Sequence, residues 1–510
     1  MKVGTAYSVA LTGLNAFTVE TQAFISPGLP KFTIIGLPDT SLNEARERVK
    51  PACRAIGFRW PDVKVTVNMS PASLPKRGSS HDLAVAVSVL AAGRAVKQES
   101  LENCILAGEL NLDGSILPVS GILPILLHAK NKGIKTAYIP HANIEEAKLV
   151  PGIETIAVRH LGELVEKLGG NAEYAISESR ADKLFSDFNS NAEHEDVADM
   201  SDVIGQDYAK WALEVAAAGG HHVLMTGPPG AGKTMLSSRV PSILPPLSQS
   251  EQLEVASVRS VCGTISRYGI TDIAPFEAPH HSASVASIAG GGAGIAKPGA
   301  ITRAHRGVLF MDEAPEFSVS ALQSLREPLE TGTVTLSRSK GSVVFPAQFQ
   351  LVMAANPCPC GKNWGNGTQC TCRAVERSRY WSRLSGPILD RIDIQIDVPP
   401  VSSLAVSNIP SEKSAEIRKR VIDAREAAAC RFKEYGWNCN ARADGSWLRE
   451  HTPKDVLNII SEAVENSLLS VRGADRTMRL AWTLADLEGK NSPQVSHTDA
   501  AIMLRTRIKT

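Results

Sequence analysis

In the first third of the chain, short stretches with alternating apolar and polar residues are interspersed with helical stretches. Alternation with a period of two indicates half-buried strands, whereas apolar residues three or four positions apart indicate amphipathic helices. The strand-like stretches are 17–25, 31–37 and 63–69, and the helix-like stretches are 41–57 and 80–93. This order predicts an α/β domain over residues 1–170.

A second α/β domain is predicted over residues 203–400. It opens with a helical pattern at 206–220, followed by the apolar strand "HHVLMTG". Before it, residues 171–202 are acidic and polar with few large apolar side chains, which is typical of a linker. After it, residues 401–510 are mainly helical, with 411–432 the clearest case. The predicted fold class is therefore α/β, with a helical C-terminal domain.

The charge balance gives no sign of a general affinity for nucleic acid, because 54 basic residues face 53 acidic ones. A basic surface must therefore be local. The longest apolar stretch, Leu83–Gly93 with Ser88 inside it, is shorter than the about 20 residues that span a bilayer. The N-terminus lacks the apolar core of a signal peptide, so we expect a cytoplasmic protein without membrane contact.

The stretch "GPPGAGKT" fits the phosphate-loop pattern G-x-x-x-x-G-K-[S/T] at every fixed position. The apolar strand before it and the helical residues after it distinguish this loop from a chance Gly-Pro turn. Its glycines let backbone N–H groups surround phosphate oxygens. Lys233 is expected to reach the β- and γ-phosphates, and Thr234 to ligate Mg²⁺. The predicted nucleotide-binding residues are Gly227, Pro228, Pro229, Gly230, Ala231, Gly232, Lys233 and Thr234.

Polar residues also end two further apolar strands. Asp312 and Glu313 follow the apolar residues 308–311, and Asn356 follows "FQLVMAA". Asp312 is expected to hold Mg²⁺ and Glu313 to polarise the attacking water, which together with the phosphate loop indicates nucleotide hydrolysis. Asn356 could orient the water or contact the γ-phosphate, or it could be only a turn residue before Pro357.

Four of the nine cysteines fall within the fifteen residues "CPCGKNWGNGTQCTC". Four thiolates on one loop can close a tetrahedral Zn²⁺ site of the structural kind, which leaves no open position for catalysis. The predicted ligands are Cys358, Cys360, Cys370 and Cys372. Free buried thiols and redox disulfides are the alternatives. Because the cysteine loop directly follows Asn356, a zinc site would brace this loop beside the bound nucleotide.

Residues 331–348 predict a β-hairpin, because apolar and polar side chains alternate around the turn "RSKG". The hairpin tip carries Arg338 and Lys340, which could follow a phosphate backbone without reading its sequence. From the residues alone, an ordinary solvated hairpin tip is the better interpretation.

The order of "GPPGAGKT", "GVLFMDE", "AANPCPCG" and "SGPILDRIDIQIDVP" resembles the magnesium-chelatase-like clade of AAA+ ATPases, and within it the ComM/YifB group. The stretches "APHHSASVASIAGGG" and "PGAITRAHRGVLFMDE" help to extend the resemblance over nearly the whole chain. The resemblance implies ATP, Mg²⁺ and a homohexamer with a C-terminal helical lid. It also implies that Asn356 is sensor 1, Arg391 the arginine finger for the neighbouring subunit, and Arg472 sensor 2. Arg476 is the alternative for sensor 2, and on spacing alone Arg391 could be a salt-bridge partner of a nearby aspartate.

The N-terminal region resembles the Lon-type (S5-like) peptidase fold. The stretch "PKRGSSHDL" aligns with the loop that carries the serine of that family, which places Ser80 at the nucleophile position. A lysine must deprotonate that serine, but this sequence has Leu123 where the family has the lysine. Lys130 and Lys132 lie about two turns further on. We therefore expect the fold without proteolysis, as a platform that forms the ring or contacts DNA.

Together these features predict an ATP-driven hexameric DNA motor of the helicase or branch-migration type. The resemblance places the 331–348 hairpin in the ring pore, where Arg338 and Lys340 would contact single-stranded or branched DNA. It also implies that the substrates are branched recombination intermediates, met during competence-associated DNA uptake or during repair. The alternative is a chelatase-like chaperone that remodels a protein or metallocofactor partner. An ATP-dependent peptidase is disfavoured by Leu123.

Overall fold

The structure is a computed structural model of the 510-residue chain. Most of the predicted linker and the segment 401–410 lie outside the part of the chain that it describes. The described residues are 2–36, 39–72, 76, 79–175, 198–265, 269–292, 297–338, 341–384, 386–400 and 411–505.

The N-terminal region is a mixed α/β structure. Its strands are β1 (Lys2–Thr12), β2 (Asn15–Ser26), β3 (Lys31–Ile35), β4 (Lys64–Ser70), β5 (Cys104–Leu106), β6 (Glu109–Leu110), β7 (Ile116–Leu117), β8 (Thr136–Pro140) and β9 (Glu154–Val158). Its α-helices are α1 (Asp39–Ala55), α2 (Asp82–Ala92), α3 (Ile122–Asn131), α4 (Ile144–Ala147) and α5 (Leu161–Lys167).

Two sheets and a central helix form the core of this region. The four-stranded sheet has the order β1-β2-β4-β3, and the parallel three-stranded sheet has the order β5-β8-β9. Helix α2 packs against β1 and β2 and buries every side chain except that of Ala91, as expected for a helix that is apolar nearly all round. Gly4 permits this approach, because the carbonyl oxygen of Ser88 leaves no room for a Cβ there.

The central region is built around a parallel sheet. Its strands are β10 (Val223–Thr226), β11 (Phe276–Glu277), β12 (Gly290–Gly291), β13 (Lys297–Pro298), β14 (Val308–Met311), β15 (Thr333–Arg338), β16 (Gly341–Pro346), β17 (Gln350–Ala355) and β18 (Ile394–Asp397). Its α-helices are α6 (Asp207–Gly219), α7 (Lys233–Ser238), α8 (Val240–Ile243), α9 (Gln249–Cys262), α10 (Val285–Ala289), α11 (Ala300–Arg303), α12 (Val319–Gln323), α13 (Arg326–Thr331), α14 (Ala374–Ser382) and α15 (Gly386–Leu389).

The parallel sheet has the strand order β11-β14-β17-β10-β18. Every residue of β10, β14 and β17 is buried, which explains why these strands read as continuous apolar runs rather than alternating ones. Because the strands are parallel, their carboxyl ends meet at one edge of the sheet. The residues that follow β10, β14 and β17 are therefore neighbours in space, as ligand sites of α/β sheets require.

Helices alone make up the regular structure of the described residues after 411, apart from one turn of 3₁₀-helix. Helix α16 reaches back to α6 through a bidentate pair between Arg420 and Glu214, in which Nε and Oε1 are 2.5 Å apart. No helix of the described chain is long and apolar enough to cross a membrane. The helices are α16 (Ser414–Arg431), α17 (Gly445–His451), α18 (Lys454–Glu465), α19 (Val471–Leu487) and α20 (Val495–Arg505).

Leu123, where the resembled peptidases have their lysine, lies in a junction between the N-terminal and central regions. It is fully buried, and its N–H donates to Oε1 of Glu146 at 2.9 Å and to Oγ of Ser260 on α9 at 3.3 Å. Ser260 also donates to Glu146, and burial raises the pKa of that carboxyl. An apolar side chain at this place packs the two regions together and supplies no base.

Candidate nucleotide-binding site

Three of the predicted site segments meet at the carboxyl edge of the parallel sheet. Thr226 at the end of β10 lies opposite Ala355 at the end of β17, and the N–H of Gly227 donates to the carbonyl oxygen of Ala355 at 3.2 Å. Met311 at the end of β14 lies opposite Met353 on the other side of β17. The phosphate loop, the Asp-Glu pair and Asn356 therefore leave the sheet side by side.

Lys233 is held inside the phosphate loop. Its Nζ donates to the carbonyl oxygens of Gly227 at 2.6 Å and Pro228 at 2.9 Å, and lies 3.3 Å from Oδ1 of Asn356. Burial lowers the pKa of Lys233, while the nearby carboxylates of Asp312 and Glu313 act in the opposite direction. The ammonium group thus lies between the loop, the acidic pair and the amide.

Two oxygen ligands of the kind that Mg²⁺ prefers are already together. Oγ1 of Thr234 donates to Oδ2 of Asp312 at 2.6 Å, although the two residues are 78 positions apart in the chain. The other carboxylate oxygen of Asp312 accepts the N–H of Glu313 at 2.9 Å. This donor set fits a magnesium ion bound next to the phosphate loop.

Glu313 has an unusual backbone and a partner that was not predicted. Its φ of 51° and ψ of 42° place it in the left-handed region, which is uncommon for a residue other than glycine. Its Oε2 lies 3.1 Å from Nδ1 of His281, in the loop between β11 and α10. In the sequence, His280 and His281 lie shortly after the two-residue strand β11, and only the sheet order β11-β14 makes this segment adjacent to Glu313.

The four cysteines of the predicted zinc site lie together, with all four Sγ atoms within 4.8 Å of one another. The Sγ atom of Cys358 is 3.4 Å from that of Cys360 and 3.6 Å from that of Cys370. Four sulfur atoms at about 2.3 Å from a central zinc would be about 3.8 Å apart. Backbone N–H groups of Lys362 and Thr371 lower the pKa of Cys360, whereas the pKa values of Cys358 and Cys372 are raised, so these three thiols titrate together rather than independently. The cluster therefore fits Zn²⁺ in its spacing and in its chemistry.

The start of the cysteine loop, at Asn356 and Pro357, is tied down by two aromatic residues of α14. The hydroxyl of Tyr380 accepts the N–H of Asn356 at 3.3 Å, and the indole N–H of Trp381 donates to the carbonyl oxygen of Pro357 at 3.1 Å. These contacts fix the start of the cysteine loop at the end of β17.

The predicted arginines lie at the opposite end of the sheet from the phosphate loop, where the strands begin. Arg391 pairs with Glu330 of α13, and its side chain is 15% exposed. Arg472 is 75% exposed, with Nη1 at 3.7 Å from Oδ2 of Asp390. Arg476 pairs with the buried Asp393, which precedes β18 at its amino end.

The length of β18 separates these arginines from the chain's own phosphate loop. The phosphate loop begins after Thr226, which lies opposite Asp397 at the carboxyl end of β18, whereas the arginines lie at its amino end. A strand of this length advances by about 13 Å. The segment that carries Arg391 and the helix that carries Arg472 therefore lie on the side of the sheet away from Lys233.

The predicted β-hairpin is present, with β15 and β16 paired from Thr333 opposite Pro346 to Arg338 opposite Gly341. Lys340 and the side chain of Arg338 lie outside the described residues. In the N-terminal region, Ser80 is half-buried, and its carbonyl oxygen accepts the N–H of Gly108 at 3.1 Å.

A phosphate loop at the carboxyl edge of a parallel sheet, next to an acidic strand end, defines the class of P-loop nucleotide-binding proteins. Comparison of the sequence with known protein families narrows this class. Residues 199–406 match the family described as magnesium chelatase, subunit ChlI, and residues 411–505 match its C-terminal family. Residues 19–143 match the family described as subunit ChlI of Mg-chelatase.

The chain belongs to the ComM/YifB family of magnesium-chelatase-like AAA+ proteins, and this membership implies ATPase activity. It is 46% identical over 510 residues to the protein Rv2897c of Mycobacterium tuberculosis, covering 99% of both chains. It is 38% identical to YifB of Escherichia coli, with 99% of this chain and 97% of YifB covered. It is 36% identical to competence protein ComM of Haemophilus influenzae, with 100% of this chain and 98% of ComM covered.

A partial similarity fits the expected Lon-like fold. The chain is 29% identical to Lon protease 2 of Bacillus subtilis over 124 residues, which is 24% of this chain and 22% of that protein.

Proposed function

We propose that the site hydrolyses ATP with the division of roles that its geometry suggests. Lys233 binds the β- and γ-phosphates, and Thr234 and Asp312 hold Mg²⁺, which supplies positive charge to the phosphate oxygens. Glu313 takes the proton of the water whose oxygen attacks the γ-phosphorus, while the bond to the bridging oxygen of the leaving ADP breaks. The observation that carries this proposal is the contact between Thr234 and Asp312.

Asn356 extends the site on the side of the phosphate loop. Its amide oxygen lies 3.3 Å from Nζ of Lys233, so it is close enough to sense whether that ammonium is bound to a phosphate. This position supports the sensor 1 role rather than that of a simple turn residue.

The active assembly that we propose is a homohexameric ring. Arg391 and Arg472 lie on the side of the sheet away from their own phosphate loop, next to Asp390. An arginine in that position can act on a nucleotide only if a neighbouring subunit brings its own phosphate loop to it. When the ring assembles, Arg391 would then leave Glu330 and pair with phosphate oxygens of the neighbouring subunit's nucleotide.

The work that the ring performs is the movement of DNA, with branched recombination intermediates as the substrate. Support comes from the β15–β16 hairpin, whose tip residues include Arg338 and Lys340, and from a full-length relative named competence protein. The rival function is remodelling of a protein or metallocofactor partner, which the matches to chelatase subunit families favour.

The test measures ATP hydrolysis by the purified full chain with no polymer and with single-stranded, duplex or four-way-junction DNA. A rate that rises with DNA, most with the junction, is the expected result. If none of the three forms of DNA changes the rate of ATP hydrolysis, although the protein contains zinc and is assembled, the result would favour the remodelling function instead.

A further inference from the structure

The backbone around Arg391 is held by two helices of the C-terminal region. Arg476 of α19 donates from Nη1 to the carbonyl oxygen of Arg391 at 3.1 Å. Arg505, at the end of α20, donates from Nη1 to the carbonyl oxygen of Ile392 at 2.8 Å. Both helices therefore bind main-chain atoms of the short segment that carries the proposed arginine finger.

The same segment is fixed to the central sheet through Asp393. This residue is 2% exposed, and its Oδ2 lies 3.3 Å from Nδ1 of His221 and accepts the N–H of His222 at 3.3 Å. Its other oxygen pairs with Arg476. Burial opposes ionisation of the carboxyl, but Arg476 and His221 outweigh burial and hold the pKa of Asp393 well below its usual value. A buried carboxylate thus joins the sheet to α19 directly beside Arg391.

The side chain of Arg391 is held less firmly than its backbone. Its guanidinium pairs with Glu330, which is 62% exposed, and its buried Nε has no hydrogen-bond partner among the described residues. A pair with an exposed carboxylate contributes little to stability, so the guanidinium can exchange that partner for a phosphate. It then turns about the side-chain bonds of a residue whose backbone stays fixed. The place that it reaches is therefore decided by the main-chain atoms that Arg476 and Arg505 bind.

We propose that Arg476 and Arg505 are positioning residues that set Arg391 for the nucleotide of the neighbouring subunit. The inference rests on the proposed hexamer, in which Arg391 acts between subunits, and it gives α19 and α20 a part in that reaction. It also gives Arg476 a role other than sensor 2. A subunit without these contacts binds ATP normally in its own site, but it supplies a poorly placed arginine to its neighbour.

The first test measures ATP hydrolysis and ATP binding by Arg505→Ala and Arg476→Lys. The alanine variant loses the hydrogen bond to Ile392. The lysine variant keeps a positive charge beside Asp393 but lacks the planar fork that reaches two acceptors. Each is expected to lower kcat roughly three- to tenfold with nearly parental affinity for ATP, in line with the loss of one hydrogen bond. Two variants are used so that the inference can still be judged if one of them fails to fold.

The matched control is Arg449→Ala. Arg449 is exposed and contacts α19 through Asp475, with Nη1 and Oδ1 2.6 Å apart, but it touches no atom of residues 391–393. Its kcat should stay near the parent value. Size-exclusion chromatography and thermal melts of all variants show whether they fold and assemble.

The second test mixes each positioning variant with Lys233→Ala, whose phosphate loop is inactive and whose Arg391 is intact. Turnover per Arg505→Ala or Arg476→Lys subunit should rise toward the parent value, because a Lys233→Ala neighbour brings a correctly placed arginine to an intact phosphate loop. Parent protein mixed with Lys233→Ala is the reference and should show no such rise. A defect within the variant's own site gives no rescue.

Parental kcat in both positioning variants overturns the inference, and so does an equal loss in Arg449→Ala. A loss of kcat without rescue in the mixtures overturns it too. Arg391→Ala mixed with Lys233→Ala, measured in parallel, identifies which proposal has failed. If that mixture is not rescued, Arg391 does not act between subunits, and the proposed arginine finger falls together with its positioning. If it is rescued while the positioning variants are not, only the role of Arg476 and Arg505 is wrong.

Discussion

Gly361 of the cysteine loop touches Pro229 of the phosphate loop. A Cβ on Gly361 would lie 2.6 Å from Cδ of Pro229, closer than two carbon atoms can approach, and Gly361 also has a φ of 73°. Any other residue here would push the two loops apart. The cysteine cluster therefore braces the nucleotide-binding loop directly.

The purified chain is expected to contain about one zinc ion, as a four-thiolate site binds one metal. Cys370→Ser should lower the Tm more than Cys430→Ser, because Cys430 is an exposed thiol outside the cluster. It should also raise KM for ATP, since the phosphate loop loses the support of Gly361. Elemental analysis, thermal melts and steady-state kinetics measure these effects. Metal-free protein prepared under reducing conditions with a normal Tm would refute the zinc site.

Lys233→Ala is expected to lower ATP hydrolysis by at least about a hundredfold, because the phosphates lose a cation held within the loop. Glu313→Gln should bind ATP with nearly parental affinity but hydrolyse it poorly, which traps an assembled ring. Phosphate-release kinetics, nucleotide titration and size-exclusion chromatography test the pair. Parental turnover in Lys233→Ala would disprove the assignment of the phosphate loop.

Arg391→Ala should bind ATP normally and lose most of its turnover, because its charge acts on the neighbouring subunit. Mixing it with Lys233→Ala should restore part of the activity, since some interfaces then combine an intact phosphate loop with an intact arginine. Arg383→Ala, at an exposed arginine that pairs with Glu316 within the chain, is the control. Absence of rescue at every mixing ratio would count against an arginine that acts between subunits.

Replacing Arg338 and Lys340 together with alanine should weaken DNA binding and reduce its dependence on salt. Each lost phosphate contact reduces the slope of log K for DNA binding against log salt concentration by about one. A six-membered ring would lose up to about twelve contacts. Basal ATP hydrolysis should remain near the parent rate, while stimulation by DNA and junction unwinding should disappear. Binding isotherms at several salt concentrations give the slope. A double variant that binds and moves DNA like the parent excludes this tip as the contact.

Acid should destabilise the N-terminal region through His81. This buried side chain has Nδ1 at 2.9 Å from Oγ of Ser8, and burial together with the nearby Lys76 lowers the pKa of His81 to about 4. Between its ordinary pKa of 6.5 and about 4, the unfolded chain binds more protons than the folded one. The free energy of unfolding therefore falls as the pH falls through this window, by at most about 1.4 kcal/mol per pH unit.

The substitution His81→Asn should remove this part of the pH dependence, because the amide keeps a polar partner for Ser8 but does not titrate. Urea unfolding of the full chain at pH 7 and pH 5 measures the effect, with His451→Asn at an exposed histidine as the control. Equal losses of stability in the parent and in His81→Asn would show that other groups dominate in this range.

The parts of the site that consist of contiguous residues could be predicted from the amino-acid sequence alone. The phosphate loop is eight consecutive residues between a strand and a helix, and the Asp-Glu pair immediately follows four buried apolar residues. Parallel strands place their carboxyl ends at one edge of the sheet, so Thr234 and Asp312 could both be predicted as ligands of the same magnesium ion. The cysteine cluster was equally predictable, because two Cys-x-Cys pairs on one short loop cannot lie far apart.

Which segments face each other across the sheet and between the two regions became clear only from the folded structure. The β11-β14 pairing brings His281 to Glu313, and no spacing along the chain encodes that pairing. Likewise, the packing of α19 at the amino end of β18, rather than a local motif, places Arg472 beside Asp390 and away from its own phosphate loop. Local patterns fix strands, loops and caps through the backbone, but long-range contacts follow from how the finished elements bury their apolar faces together.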